Sequence, residues 1–186
     1  LALAATTALT ASASAGDWYA STFGGFNQDD VISGVKGVDG QSGYVIGGTI
    51  GKRLGASWRI EAEASFRQNE VDIFGGAISA DHDTQALTAN VAYDFGSPDS
   101  QFRPFLLAGV GVATTRATFE NIALARLESS GIISQVGAGF NYSVAPGVAV
   151  GASYRYSMGP TLEVFSTELS DGTNHSVLAS LTFDLN

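Results

Sequence analysis

Segment after segment of this chain sets an apolar residue at every second position, with a small or charged residue between. In 58–67 one face reads Trp58, Ile60, Ala62, Ala64, Phe66 and the other Arg59, Glu61, Glu63, Ser65, Arg67. In 86–95 Leu87, Ala89, Val91, Tyr93 and Phe95 alternate with Thr88, Asn90 and Asp94. In 148–157 Val150, Ala152, Tyr154 and Tyr156 oppose Gly151, Ser153, Arg155 and Ser157. A period of two belongs to the β-strand, whose successive side chains leave opposite faces. The pattern predicts eight strands, at 17–28, 43–54, 58–74, 83–96, 102–119, 131–145, 147–165 and 175–186. The fifth is apolar on both faces around Leu106 to Val112, so its orientation stays open. No stretch has the i, i+3, i+4, i+7 apolar spacing of a competing helix.

Alternation alone does not separate a soluble sheet from a membrane one. The polar face does, because it carries closely spaced charges and many of the 23 glycines instead of long solvated side chains. Charged residues make up 15% of the chain, below the roughly 25% of an average soluble domain. After Ala15 no run reaches the ~18 apolar residues of a spanning helix, so a membrane form of this chain must be a closed barrel. The expected fold is all-β: an eight-stranded antiparallel up-and-down transmembrane β-barrel. Long connections at 29–42, 75–82, 120–130 and 166–174 alternate with short ones at 55–57, 97–101 and 146–147, as a meander with both termini on one side requires. The formal charge of −9 and scattered basic residues argue against nucleic acid. The absence of cysteine removes disulfide and thiol chemistry.

Residues 1–15 are uncharged, small and apolar, and close on Ala13-Ser14-Ala15. They read as the remnant of a signal peptide cut before Gly16, leaving 16–186 as the barrel domain.

Gly47-Gly48-Thr49-Ile50-Gly51-Lys52-Arg53-Leu54, followed by Trp58 to Glu63 and Phe66-Arg67, resembles the second hairpin of small proteobacterial outer-membrane barrels. These are the opacity-type surface proteins and the outer-membrane protein A-like transmembrane barrels. Asp17-Trp18-Tyr19, Arg103-Pro104-Phe105, Gln135 to Gly139, Tyr154-Arg155-Tyr156 and the closing strand from His175 to Leu185 are similar too. The chain departs from that group in ending on Asn186, where such barrels usually carry an aromatic residue. The resemblance implies a bacterial outer-membrane location, contact with lipid and lipopolysaccharide, and insertion by the barrel assembly machinery. It also implies a structural role with surface loops available for adhesion or an unknown surface ligand. A narrow ion or small-solute channel and a soluble lipocalin-like barrel are the alternatives. The second rests on Gly16-Asp17-Trp18 and would need apolar residues inside.

Arg59, Glu61, Glu63, Arg67, Asn90, Asp94 and Arg155 are expected to project into the lumen. Eight strands leave an interior that side chains fill, and buried charges there must pair. Either a fixed salt-bridge plug or an ion path opened by partner exchange fits that set. Trp18, Trp58, Phe95, Phe102, Tyr142 and Tyr156 fall near strand ends, where aromatic girdles sit at the lipid interface, with Lys52 and Arg103 placed to meet headgroups. Asp81-His82-Asp83 makes a poor metal cage, and His175 and Ser176 point to opposite faces, so neither metal, cofactor nor catalytic triad is expected. The connections are acidic, with Asp29, Asp30, Asp39, Asp81, Asp83, Glu120, Glu128, Glu168 and Asp171 against Lys36 and Arg126.

The face assignment has a direct test. Val91→Arg should cost about 2–4 kcal/mol in urea unfolding from vesicles if that face meets lipid near the midplane. A neutral result would reverse the two faces.

Overall fold

The computed structural model describes residues 17–31, 38–40, 42–73, 78–119, 126–160, 162–164 and 167–185. The expected leader and its expected Ala13-Ser14-Ala15 cleavage site lie outside them, as do the side chains of Asp29, Asp30, Asp39, Asp81, His82, Glu120, Arg126, Glu168, Asp171 and Lys36.

Every regular element described is a strand: β1 (Trp18–Val31), β2 (Val38–Gly40), β3 (Ser42–Leu54), β4 (Trp58–Ile73), β5 (Ile78–Asp94), β6 (Phe102–Phe119), β7 (Arg126–Ala145), β8 (Val148–Met158), β9 (Leu162–Val164) and β10 (Thr167–Asp184). The eight long strands pair antiparallel in the order β1-β3-β4-β5-β6-β7-β8-β10, and β10 pairs back onto β1. Short β2 adds to β4 and short β9 to β10. The barrel is closed, so no long strand is left as an edge in the membrane span.

Following the ladders once round gives the shear. Trp18 pairs with Lys52, then Ile60, Val91, Ala108, Val136, Tyr156, His175 and finally Gln28, a displacement of ten residues along β1. With ~3.3 Å per residue and ~4.8 Å between strands, a shear of that size tilts the strands by about 41°. Allowing for the climb, Trp18, Trp58, Phe95, Phe102, Tyr142 and Phe183 fall within about one residue of a common level at the short-turn end. Phe26, Tyr44, Phe66, Tyr156 and His175 form a second ring roughly 20 Å higher. Between the rings the outward residues are mostly apolar, Ile60 and Val91 among them, and well exposed. Above the second ring the same face turns polar: Tyr44 donates to Gln68 at 2.5 Å, and Arg116 pairs with Glu128 at 3.0 Å.

Two expectations need correction. The segments 75–82, 120–130 and 166–174 are not simply loops: β5, β7 and β10 begin in them and carry paired strand beyond the apolar belt. The ladder of β4 continues to Ile73, seven residues past Phe66, or about 23 Å of strand. The seventh of the expected segments stops at Met158, not 165, because Gly159 and Pro160 interrupt the ladder. The ambiguous β6 resolves with Phe102, Leu106, Val110 and Val112 outward and Arg103, Phe105 and Leu107 inward.

Inward glycines are seats for large side chains. Tyr19 lies opposite Gly51, Phe23 opposite Gly47 and Phe105 opposite Gly139. A Cβ at Gly47 or Gly51 would fall inside the facing ring. Gly48 differs in pointing outward, where a Cβ meets nothing closer than the Ser21 carbonyl at 3.5 Å. Gly47→Ala should therefore cost about 1–3 kcal/mol by overpacking, and Gly48→Ala should stay within about 0.5 kcal/mol of neutral. Urea unfolding of the two neighbouring variants side by side checks the seat.

Candidate functional site

Two charge networks occupy the lumen, one above the other. Near the short turns, Arg59 reaches Glu61 at 2.8 Å and Asp94 at 3.0 Å, and Tyr19 donates to Glu61 at 2.5 Å. Arg103 joins from β6, 3.3 Å from Asp94, and donates to the Ala56 carbonyl at 2.7 Å. Arg103 therefore closes the short-turn end of the lumen instead of meeting headgroups, because it shares the parity of inward Phe105 and Leu107. Lys52 does point outward, its ammonium 5.6 Å from the Trp18 ring. Arg53 and Asp184 add a half-exposed pair at 2.7 Å beside the β1–β10 seam.

Above this layer Arg155 binds both oxygens of Glu63, at 2.6 and 2.5 Å. Asn90 donates to Glu63 at 3.1 Å, and Gln135 donates to the Asn90 carbonyl oxygen at 2.8 Å and the Thr88 hydroxyl at 3.1 Å. Glu63 is 1% exposed, so its charge depends wholly on these donors. The guanidinium of Arg155 also lies 4.9 Å from the Phe23 ring and that of Arg59 5.0 Å from Phe105. Phe23, Val45 and Leu178 fill one side of the lumen, and Ala86, Ala113 and Ile133 another. Asn27 donates to Asn69 at 2.8 Å toward the loop end, where Arg67 is also buried.

Six of the seven expected lumen residues, Arg59, Glu61, Glu63, Asn90, Asp94 and Arg155, thus meet in two groups, with Arg67 at a higher level. Tyr19, Gln135 and Arg103 complete those groups and were missed. Both parities of 18–27 carry aromatic and small residues, so nothing in β1 marks Tyr19 as inward. Of the expected girdle, Trp18, Trp58, Phe95, Phe102 and Tyr142 share the short-turn ring with Tyr93 and Phe183, whereas Tyr156 sits in the other ring against His175. His175 is bonded through Nδ1 to the Tyr154 hydroxyl on the outer face, while Ser176 faces inward and donates to Asn174 at 2.8 Å. Among the described residues no group of three His, Cys, Asp or Glu side chains is placed to hold a metal.

A polar, charge-paired interior inside an apolar belt is the inverse of a lipocalin and defines a transmembrane β-barrel of the bacterial outer-membrane type. The chain belongs to the family described as outer membrane protein beta-barrel domain, whose profile matches residues 1–183. Among solved structures it is similar to Neisserial surface protein A, at 17% identity and a TM-score of 0.70, over 93% of this chain and 100% of that one. It is also similar to Ail, the attachment invasion locus protein of Yersinia pestis, at 15% identity and a TM-score of 0.52, over 91% and 99% of the two chains. The transport unit of the Escherichia coli autotransporter AIDA-I shares the fold at 6% identity and a TM-score of 0.54, over 91% and 90%. No curated protein sequence matches the chain significantly. The protein is an outer-membrane β-barrel of a Gram-negative bacterium.

The Glu63–Arg155 pair generates a stability prediction. Glu63→Ala should cost about 3–5 kcal/mol, because it strands a buried guanidinium and two amides. Adding Arg155→Met should recover part of that loss. Unfolding of both variants from vesicles measures the difference, and equal destabilisation by the two would show that the pair is not coupled.

Proposed function

We propose that this protein is a structural outer-membrane barrel that presents an acidic rim to the cell exterior for contact with basic partners. One observation carries the reading. The segments 29–42, 68–83, 116–130 and 159–174, all at the loop end, hold twelve of the 18 acidic residues and three of the 9 basic ones. The rest of the chain is neutral, so the whole formal charge of −9 belongs to that end. The belt and lumen anchor the protein, and the protruding hairpins of β4 to β7 carry the charge away from the bilayer. Such a field attracts cationic surfaces over about a Debye length and repels polyanions. Divalent cations bridging the rim to anionic lipopolysaccharide are a second consequence of the same charge.

Ail, as solved with the heparin analogue sucrose octasulfate, shares the fold. A polyanion of that kind is disfavoured here by the rim's sign. The channel alternative is disfavoured because ion pairs cross the lumen at two levels.

The chain has no cysteine, so single substitutions report topology cleanly. Ser130→Cys should react with an impermeant maleimide on intact cells, and Ser97→Cys only after permeabilisation. Vesicles carrying the protein should bind a polylysine surface, release at high salt, ignore heparin, and show no unitary conductance in planar bilayers. Heparin binding, or steady conductance, would overturn the reading.

A further inference from the structure

An open groove of about 710 Å³ runs across β3 to β6 on the lipid-facing side of the wall, within the size range of small-molecule sites (~300–1,000 Å³). Its lower wall is Ala64, Leu87 and Val112, ladder partners across β4, β5 and β6. Its upper wall is Ile46, Phe66, Gln85 and Thr114, partners in the same way from β3 to β6. The space lies outside the barrel: Leu87 and Val112 are 59% and 61% exposed, whereas Ala86 and Ala113, the inward residues beside them, are buried. Ala64 leaves the hollow, a methyl group standing among Ile46, Phe66 and Leu87. Because the strands are tilted, a row of ladder partners climbs as it passes from strand to strand. The groove therefore slants from Ile46 in the apolar belt to Thr114 above the second aromatic ring, over three strand spacings or about 14 Å.

Polarity changes along the groove in the same direction. The Ile46 end is apolar, and the Thr114 end is polar but uncharged. Among the described residues Gln85 makes no side-chain hydrogen bond, so its amide N–H donors and carbonyl oxygen are both open to a ligand. Thr114 and Ser130 share one hydrogen bond at 3.0 Å, which leaves the pair a hydroxyl proton to give. Arg116, two residues beyond Thr114, is taken by Glu128 at 3.0 Å and has Asp83 as its ladder partner, so the local charge does not favour a phosphate. A hydroxyl or an amide both donates and accepts and so answers Gln85 and Thr114 together, whereas an ester only accepts. An apolar trough within the belt, ending in neutral donors and acceptors just beyond it, has the polarity profile of an amide-linked acyl chain. We propose that this groove is a binding site for one glycolipid of the outer leaflet, with an acyl chain lying over Ala64 and the amide or hydroxyl at its linkage bonded to Gln85 and Thr114. The choice of leaflet rests on the loop end facing the cell exterior, as in the function proposed above.

The test uses the refolded protein in nanodiscs of phosphatidylcholine with a minor fraction of lipid A, a glycolipid with amide-linked acyl chains. A chelator is present throughout, so that cation bridging at the rim contributes nothing. Native mass spectrometry should show one lipid A retained after the phosphatidylcholine has been stripped. Ala64→Phe fills the groove from the lipid side and should lose that lipid. Ala108→Phe, at an exposed alanine of β6 clear of the groove, should keep it. Both variants should still shift on heating in SDS gels, and if Ala64→Phe does not fold, the smaller Ala64→Leu takes its place. Gln85→Leu leaves the trough apolar and should lower the preference for lipid A over phosphatidylcholine about tenfold. No retained lipid, phosphatidylcholine held as firmly as lipid A, or unchanged retention in the filled variant would each overturn the proposal. So would equal loss in Ala108→Phe (contact with the belt at large) or an unchanged preference in Gln85→Leu. Maleimide labelling of Ser130→Cys reads the orientation separately, so a failure of the site and a failure of the topology are told apart.

Discussion

Closure of β1 on β10 is the constraint from which the other features follow. Lipid offers no partner to a backbone N–H or C=O, so a sheet can cross it only as a ring with every strand paired on both sides. The ladder from Tyr19–Asp184 to Asp29–Asn174 supplies that last pairing. Eight strands closed with a shear of ten leave a lumen narrow enough for side chains to fill. In that space a large inward residue needs a gap across the ladder, which is why Tyr19, Phe23 and Phe105 each face a glycine. A charge there has little water, so Glu63 lies within reach of Arg155, Asn90 and Gln135.

The same economy divides the molecule electrically. Within the belt and the short turns the charges sum to zero, because a surplus in a low-dielectric interior would be costly. Beyond the second aromatic ring water returns and the constraint lapses. The strands continue there as paired hairpins whose outward residues are Gln68, Asp83, Arg116 and Glu128, and the whole net charge collects at that end. Anchor and surface are thus separated along one axis without a domain boundary.

The legible parts of the sequence were those where one parity alone carried charge. On β4 Arg59, Glu61, Glu63 and Arg67 stand against an unbroken apolar set, so inside and outside could be assigned directly. On β1 Trp18, Ala20, Thr22, Gly24 and Phe26 differ little in polarity from Tyr19, Ser21, Phe23, Gly25 and Asn27, and two of the largest lumen residues were invisible. On β6 Arg103 looked interfacial because its apolar neighbours Phe105 and Leu107 gave no sign of facing inward. The loop-side ends of β5, β7 and β10 were set too short because polar residues outside the belt alternate without an apolar partner set, although their backbones still pair.

By itself the sequence determined the number of membrane-crossing strands, their up-and-down order and the identity of most buried charges, since a period of two is a local property that needs no partner. Register decided the rest. Which strand meets which, and with what offset, is set only when all eight close together. That closure brings Arg155 onto Glu63 across 92 positions of chain, seats Tyr19 over Gly51, and levels Trp18, Trp58, Phe102 and Tyr142 into one ring. A one-residue slip would leave each local alternation readable and break every one of those contacts.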